Sequence, residues 1–355
     1  PPNGLTSGRG VAANAPAATG LAQTERNDAL DGIRFLAVAA VMLFHFGVPG
    51  ASAGFLGVDL FFVLSGFLIT RILLSQMTER RVDLPGFWTR RVRRLAPALV
   101  LGVSAVIAWG ALDAPAPARD SLRGDVTATL AYGANWHFVS TGGYFASTGI
   151  ESPLQHMWSL AVEEQFYLAW PVLLWVVAAT IGSVQARRYA VGALAVVGIG
   201  LSSWRLDSLW QGESVDRAYM GTDSRIFGPL MGALLAVVLT IAPRLGSGLR
   251  SHIALLTLGA IGMVWGLAEL GGPAGATACY ARGGALVVAL SSAAVIWALA
   301  TRTSRATRLL ALPPVAYLGC LSYGLYIWHW PLVLWAGRGG WLDLSARPAA
   351  VRMFA

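Results

Sequence analysis

The chain reads as an all-α, polytopic integral membrane protein, and three observations point there. Of its 355 residues, 55% are hydrophobic and only 12% are charged, a balance foreign to water-soluble domains. Apolar runs of helix length recur along it, each near the roughly 20 residues that cross a bilayer. The 26 basic residues, every one an arginine, gather in a few connecting stretches, as membrane orientation requires. In a soluble protein the net charge of +8 would suggest nucleic acid; distributed this way it excludes it. Cys279 and Cys320 make neither a disulfide framework nor a metal-ligand spacing, and no His/Cys cluster has metal spacing, so no metal is expected.

Residues 1–29 are rich in Pro, Gly, Ala and Ser, lack periodicity and lack a signal-peptide core, which predicts a disordered cytoplasmic tail. Nine apolar spans follow, near 33–48, 56–76, 95–112, 156–181, 189–206, 219–241, 252–270, 283–300 and 314–336. Segment 121–139 is span-length but carries Arg123, Asp125, Asn135 and His137. If it does not cross, an amino terminus inside the cell puts four arginine groups on the cytoplasmic side: Arg80 to Arg94, Arg187 with Arg188, Arg244 with Arg250, and Arg302 to Arg308. The segment is therefore expected to be a re-entrant or peripheral helix beside a water-filled cavity. After 336 the run ARPAAVRMFA starts a further helix and stops, so the last span is expected to be truncated.

Within the first span stand Arg34 and His45, which hydrocarbon tolerates only beside a polar cavity or a partner. Eleven positions apart, they are separated by roughly 16 Å along a helix axis and cannot form one compact couple. Arginine stays charged, whereas histidine exchanges protons near neutrality, which makes His45 the candidate general base.

Five ordered motifs, LDGIRFLAVAAVMLFHF, GFLGVDLFFVLSGFLIT, FWTRRVRRLAP, HMWSLAVEEQFYLAWP and YLGCLSYGLYIWHWPLVLW, cover most of residues 30–336. Together they resemble the membrane-bound acyltransferase type 3 family, whose members modify bacterial cell-surface glycans and glycolipids and include O-antigen acetylases. The resemblance implies that residues 30–355 are one membrane acyltransferase domain, incomplete at its carboxyl end. It also implies an acyl-CoA donor in the cytoplasm, a glycan or glycolipid hydroxyl as acceptor at the outer face of the inner membrane, and a passage joining them. It places the family's essential Arg-to-His spacing on Arg34 and His45, and its spaced arginines on Arg90, Arg91 and Arg94, which would hold coenzyme A through forked hydrogen bonds. A positive-inside loop accounts for the same charges, and one loop can serve both ends.

Glu163 and Glu164 are adjacent carboxylates within a span, diverging by about 100° on a helix, which predicts separate roles. Glu163 is expected to orient the His45 imidazole while Glu164 meets an arginine or the substrate; alternatively both neutralise arginines such as Arg34 or Arg225. Asp59 would bind an acceptor hydroxyl or pair with an arginine. Asp223 and Arg225 could be an ion pair, with Arg225 also resembling a family position. Tyr326 and His329, at i and i+3 on one helix face, could hydrogen-bond the sugar or stabilise an oxyanion. His137, His156 and His252 read as packing residues. The alternative function is a transporter of a lipid-linked sugar or acyl carrier, which would show related repeats and broken helices.

Overall fold

The computed structural model describes residues 27–78, 82–112, 116–141, 152–212, 215–270 and 276–338, and all regular structure among them is helical. The expected tail, Arg80, Arg81 and the carboxyl-terminal run ARPAAVRMFA lie outside the described residues, save that Asp28 and Ala29 already belong to the first helix. In chain order the helices are α1 Asp28–His45, α2 Leu56–Thr78, α3 Leu84–Leu112, α4 Ala116–Leu130, α5 Ala134–Thr141, α6 Met157–Thr180, α7 Val184–Gly212 and α8 Val215–Met220. They continue with α9 Thr222–Arg225, α10 Phe227–Ile241, α11 Leu249–Glu269, α12 Ala276–Cys279, a π-turn Tyr280–Gly284, α13 Ala285–Thr301, α14 Arg305–Leu310, α15 Pro313–Cys320 and α16 Ser322–Arg338.

By length and apolarity six of these segments can cross a membrane: α2, α3, α6, α7, α11 and the stretch Tyr280–Thr301. The expected count of nine spans is not confirmed by this measure. α10 is apolar but has 15 residues, about 22 Å against a hydrocarbon core of about 30 Å. α1 carries Asp28, Asp31 and Arg34 within its 18 residues, and α16 has only 17. Two apolar runs that read as single spans are also interrupted: 219–241 breaks at Gly221 and Ile226, and 314–336 breaks at Leu321. The polar segment 121–139 is not one helix either. Tyr132, at φ 54°, takes the left-handed conformation between α4 and α5, and neither piece is long enough to span.

α2 sits at the centre and packs on α1, α6, α7, α10 and α13. The most apolar window of α2 is 78% buried, whereas that of α11 is 17% buried and presents Leu258, Ile261 and Val264 outward. An outward face this apolar is what lipid requires and water penalises. α2 and α10 cross backbone to backbone because Gly66 lies on the Pro229 carbonyl and Gly232 on the Val63 carbonyl, where no Cβ fits.

Helix ends are closed by specific side chains. The Asn27 side-chain oxygen accepts from the amides of Ala29 and Leu30 and so starts α1. Arg187, buried, donates to the carbonyls of Met77, Ile181 and Gly182, satisfying the last turns of α2 and α6 with one guanidinium. α3 begins at Leu84, with Pro97 inside it, so Arg90, Arg91, Arg93 and Arg94 stand on the helix itself rather than in a loop before it.

Candidate active site

α1 ends at His45, which the α1–α16 packing brings against His329. His329 Nε2 lies 2.9 Å from His45 Nδ1, and His329 Nδ1 lies 2.6 Å from the Tyr326 carbonyl oxygen one helical turn back. The His156 ring stands edge-on to His329 at 5.2 Å between centroids, and its Nε2 lies 3.1 Å from the Ile327 carbonyl. All three rings are buried, with Trp330 closing the far side of His45 at 4.8 Å. Tyr326 continues the polar contact: its hydroxyl donates to the His156 carbonyl at 3.0 Å and lies 2.6 Å from Ser159 Oγ.

One turn further along α6 from Ser159 is Glu163, in a pocket lined by residues of α1, α2, α3, α6 and α16. The pocket is a cavity of about 100 Å³ behind an open mouth, smaller than the roughly 300–1,000 Å³ usual for small-molecule sites. The Glu163 carboxylate accepts hydrogen bonds from Ser65 and Tyr167 and lies 3.9 Å from Arg91, whose Nη2 also donates to Glu164 at 3.3 Å. The Arg91 guanidinium rests on the Tyr167 ring at 3.0 Å from its centroid, a cation–π contact that adds to the two carboxylates. Arg34 pairs with Asp31 at 3.2 Å and faces the same pocket. Arg94 also lines it and makes no hydrogen bond or ion pair among the described residues.

Tyr326 lines the pocket and stands 5.2 Å, ring to ring, from His329, whereas His45 and His329 are buried outside the pocket lining. A family model for the acyltransferase domain matches residues 27–351 of the chain. The chain belongs to the type 3 acyltransferase family. Among curated proteins this acyltransferase is 36% identical over 314 residues to the peptidoglycan O-acetyltransferase OatA of Listeria monocytogenes, covering 86% of this chain and 49% of that protein. It is 38% identical over 312 residues to the putative peptidoglycan O-acetyltransferase YrhL of Bacillus subtilis, covering 86% and 48%. With the O-acetyltransferase OatA of Staphylococcus aureus the identity is 31% over 310 residues, covering 86% and 50%. The chain therefore spans about half the length of these relatives. No solved structure matches it.

Several sequence expectations for this acyltransferase change once its side chains are in place. Glu163 does not touch His45: its carboxylate is committed to Ser65, Tyr167 and Arg91, and His329 stands against His45 instead. Glu163 and Glu164 do not part company either. Their Cα–Cβ bonds diverge, but both side chains are long enough to converge on one guanidinium placed between them. The expected arginine trio splits: Arg91 and Arg94 face the pocket, whereas Arg90 points to the surface and pairs loosely with Asp83 at 3.6 Å.

Asp59 and Arg225 lie elsewhere, paired with each other. Arg225 Nη2 donates to Asp59 Oδ1 at 3.0 Å, Tyr280 donates to the same oxygen at 2.9 Å, and both charged groups are sealed from solvent. The rings of Phe62, Trp158, Tyr219, Phe227 and Tyr280 surround the guanidinium. Asp223 is not the partner of Arg225; it is clamped by Arg217 and Arg205. His137 bonds Asp125 at 2.8 Å, away from the pocket. Residues that sequence reading did not place in the site are Ser65, Tyr167, Tyr323 and His156, the last read there as a packing residue. For Tyr167 a signal existed, since it lies four positions after Glu163 and hence on the same face. For His156 and Ser65 there was none, because their partners lie on other helices.

Proposed function

We propose that this acyltransferase moves an acyl group from acyl-CoA, bound from the cytoplasmic side, to a hydroxyl of a cell-envelope glycan or glycolipid at the outer face of the bacterial inner membrane. The multi-pass domain would have its amino terminus in the cytoplasm. The observation that carries the reading is the row of polar side chains lining one pocket, from Arg94 and Arg91 past Glu163 and Ser65 to Ser159 and Tyr326, with the His329–His45 pair packed against Tyr326. Its arginine end is formed by the second and third turns of α3, which carry Arg91 and Arg94, and the first turn of α16; the positive-inside rule favours the cytoplasm for this arginine-rich stretch. The relatives named as peptidoglycan O-acetyltransferases favour a polysaccharide acceptor and an acetyl group.

In this reading Arg94, unpaired at the pocket, and Arg34 bind the donor's phosphates through forked, charge-assisted hydrogen bonds. Arg91, already held by two carboxylates and a ring, is a fixed wall that holds the Glu163 and Glu164 side chains in place. The thioester lies along this row toward Tyr326. As the acceptor oxygen bonds the thioester carbonyl carbon, its proton passes to the His45 imidazole. The Ser159–Tyr326 hydroxyl pair can turn one O–H toward the oxyanion that forms. Collapse breaks the carbon–sulfur bond, and the leaving thiolate recovers the proton from His45.

The test is thiol release from acetyl-CoA by the full chain in membranes supplied with peptidoglycan fragments. Acceptor-dependent release that falls by about 10²-fold or more in His45→Ala is expected. Undiminished release in that variant, or uptake of the donor without any thiol release, overturns the reading, the second in favour of a carrier.

A further inference from the structure

We infer that His329 is a positioning residue that fixes the tautomer of His45, placing the ring hydrogen on Nδ1 and the basic lone pair on Nε2. The inference rests on the reading of His45 as the base and names which of its atoms does that work.

A backbone carbonyl can only accept a hydrogen bond, so the His329 Nδ1 that lies 2.6 Å from the Tyr326 oxygen must carry hydrogen. In the neutral ring that leaves Nε2 as the acceptor. The His45 Nδ1 at 2.9 Å therefore has to be the donor. Each step removes one alternative, and the constraint ends on His45 Nε2. Neither ring is free to turn away from it. His329 is 2% exposed, pinned by its own helix and by the edge of His156, while Trp330 and Phe44 lie against His45.

The arrangement does what an orienting acceptor does behind a catalytic histidine, with a neutral imidazole nitrogen in that place. When His45 Nε2 takes the acceptor's proton, the resulting imidazolium donates from Nδ1 to His329 Nε2, and this bond becomes charge-assisted and stronger. Protonating His329 Nε2 instead would set two N–H groups against each other at 2.9 Å. The pair is thus built to carry one extra proton, and to carry it on the ring at the end of α1. A tautomer held by the tertiary fold also explains why a second histidine is buried beside the first, since an apolar neighbour would let His45 invert.

Two measurements on the full chain in nanodiscs test this. Nitrogen-15 NMR of the histidine side chains, with His45 assigned by its loss in His45→Ala, is expected to show His45 protonated at Nδ1 in the parent and at Nε2 in His329→Phe. In thiol-release kinetics, His329→Phe is expected to lower kcat by about 10²-fold or more while the donor KM stays within about threefold. His329→Gln, whose amide oxygen can accept from His45 Nδ1, is expected to recover most of that loss. A parent His45 protonated at Nε2, or equal kcat losses in the Phe and Gln variants when both remain folded, overturns the inference. Failure of the functional reading looks different: the NMR assignment would stand, but the parent would release no thiol.

Discussion

Arg225 and Asp59 are the costliest residues in the molecule to bury, and their surroundings show how the cost is met. Both are fully enclosed, yet Asp59 Oδ2 and Arg225 Nε and Nη1 find no hydrogen-bond partner, so the pairing is held by one direct bond, Tyr280 and the faces of five aromatic rings. Removing one member of such a pair strands the other, at about 3–5 kcal/mol, whereas removing both leaves only a packing defect. Arg225→Met is accordingly expected to lower the thermal unfolding midpoint in detergent strongly. Combining it with Asp59→Leu should recover part of the loss, and a double variant less stable than either single would refute the account. Within the arginine trio expected to hold the donor, Arg94 and Arg90 differ in a testable way. Arg90 is a surface residue whose side chain is 62% exposed, and exposed pairs of this kind contribute little. Arg94→Ala should raise the donor KM by roughly tenfold, the value of one charge-assisted contact, while Arg90→Ala leaves it near the parent value. Equal effects of the two would mean that the helix face as a whole, and not the pocket, attracts the donor.

Elements are held at distances that side-chain size decides. The α2–α10 crossing has glycine on both partners, and a methyl group at Gly66 or Gly232 would strike a carbonyl of the other backbone. Overpacking of this sort costs about 1–3 kcal/mol. Gly66→Ala and Gly232→Ala should each destabilise the protein in thermal melts, whereas Gly200→Ala, which meets open space, should not. Between α7 and α9 the joint is electrostatic. Partial burial pushes the Asp223 carboxyl upward, but hydrogen bonds and charge from Arg217 and Arg205 outweigh it and hold the group below the usual carboxylate range. A carboxyl depressed in the folded state stabilises above its unfolded value of about 3.9 and loses that contribution as pH falls through the folded value. The parent should therefore lose stability more steeply than Asp223→Asn below about pH 4. The difference should be small, because the carboxylate is 40% exposed, and parallel pH profiles would remove Asp223 as the clamp.

At the scale of the whole molecule, the helices around α2 form a pocket lined by Arg34, Arg91 and Arg94, with the histidine pair packed behind Tyr326 of its lining. Orientation follows from the same arginines. In a variant with Cys279 and Cys320 replaced, a cysteine introduced as Gln185→Cys should react with a membrane-impermeant maleimide only after the cells are opened. Labelling of intact cells would invert the topology and move the proposed donor entrance to the outer face. Burial also accounts for apolar runs whose helices fall short of the length that crosses a bilayer. α10 and α16 are apolar because protein surrounds them: α10 packs on α2, α7 and α13, and α16 on α1 and α3. An apolar run says that water is excluded, and it does not distinguish lipid from neighbouring helices.

The linear chain by itself determined the class and the family and named the candidate residues for the chemistry. Those rest on composition, on motif order and on ionisable groups standing in apolar runs, all of which are local properties. Of the residues singled out in that way, Arg34, Arg91, Arg94 and Tyr326 line one pocket, and His45 and His329 stand against each other behind Tyr326. The partners were decided only by the tertiary structure. Glu163 was expected behind His45 because a carboxylate commonly stands there, but the helix packing turns it to Arg91 and hands His45 to His329, 284 residues away along the chain. Asp59 left two partners open and met Arg225 across 166 residues. Spacing along one helix reports which side chains share a face; which face of another helix they meet is set by how small residues, rings and carbonyls let the helices approach, and that information is spread over the whole chain.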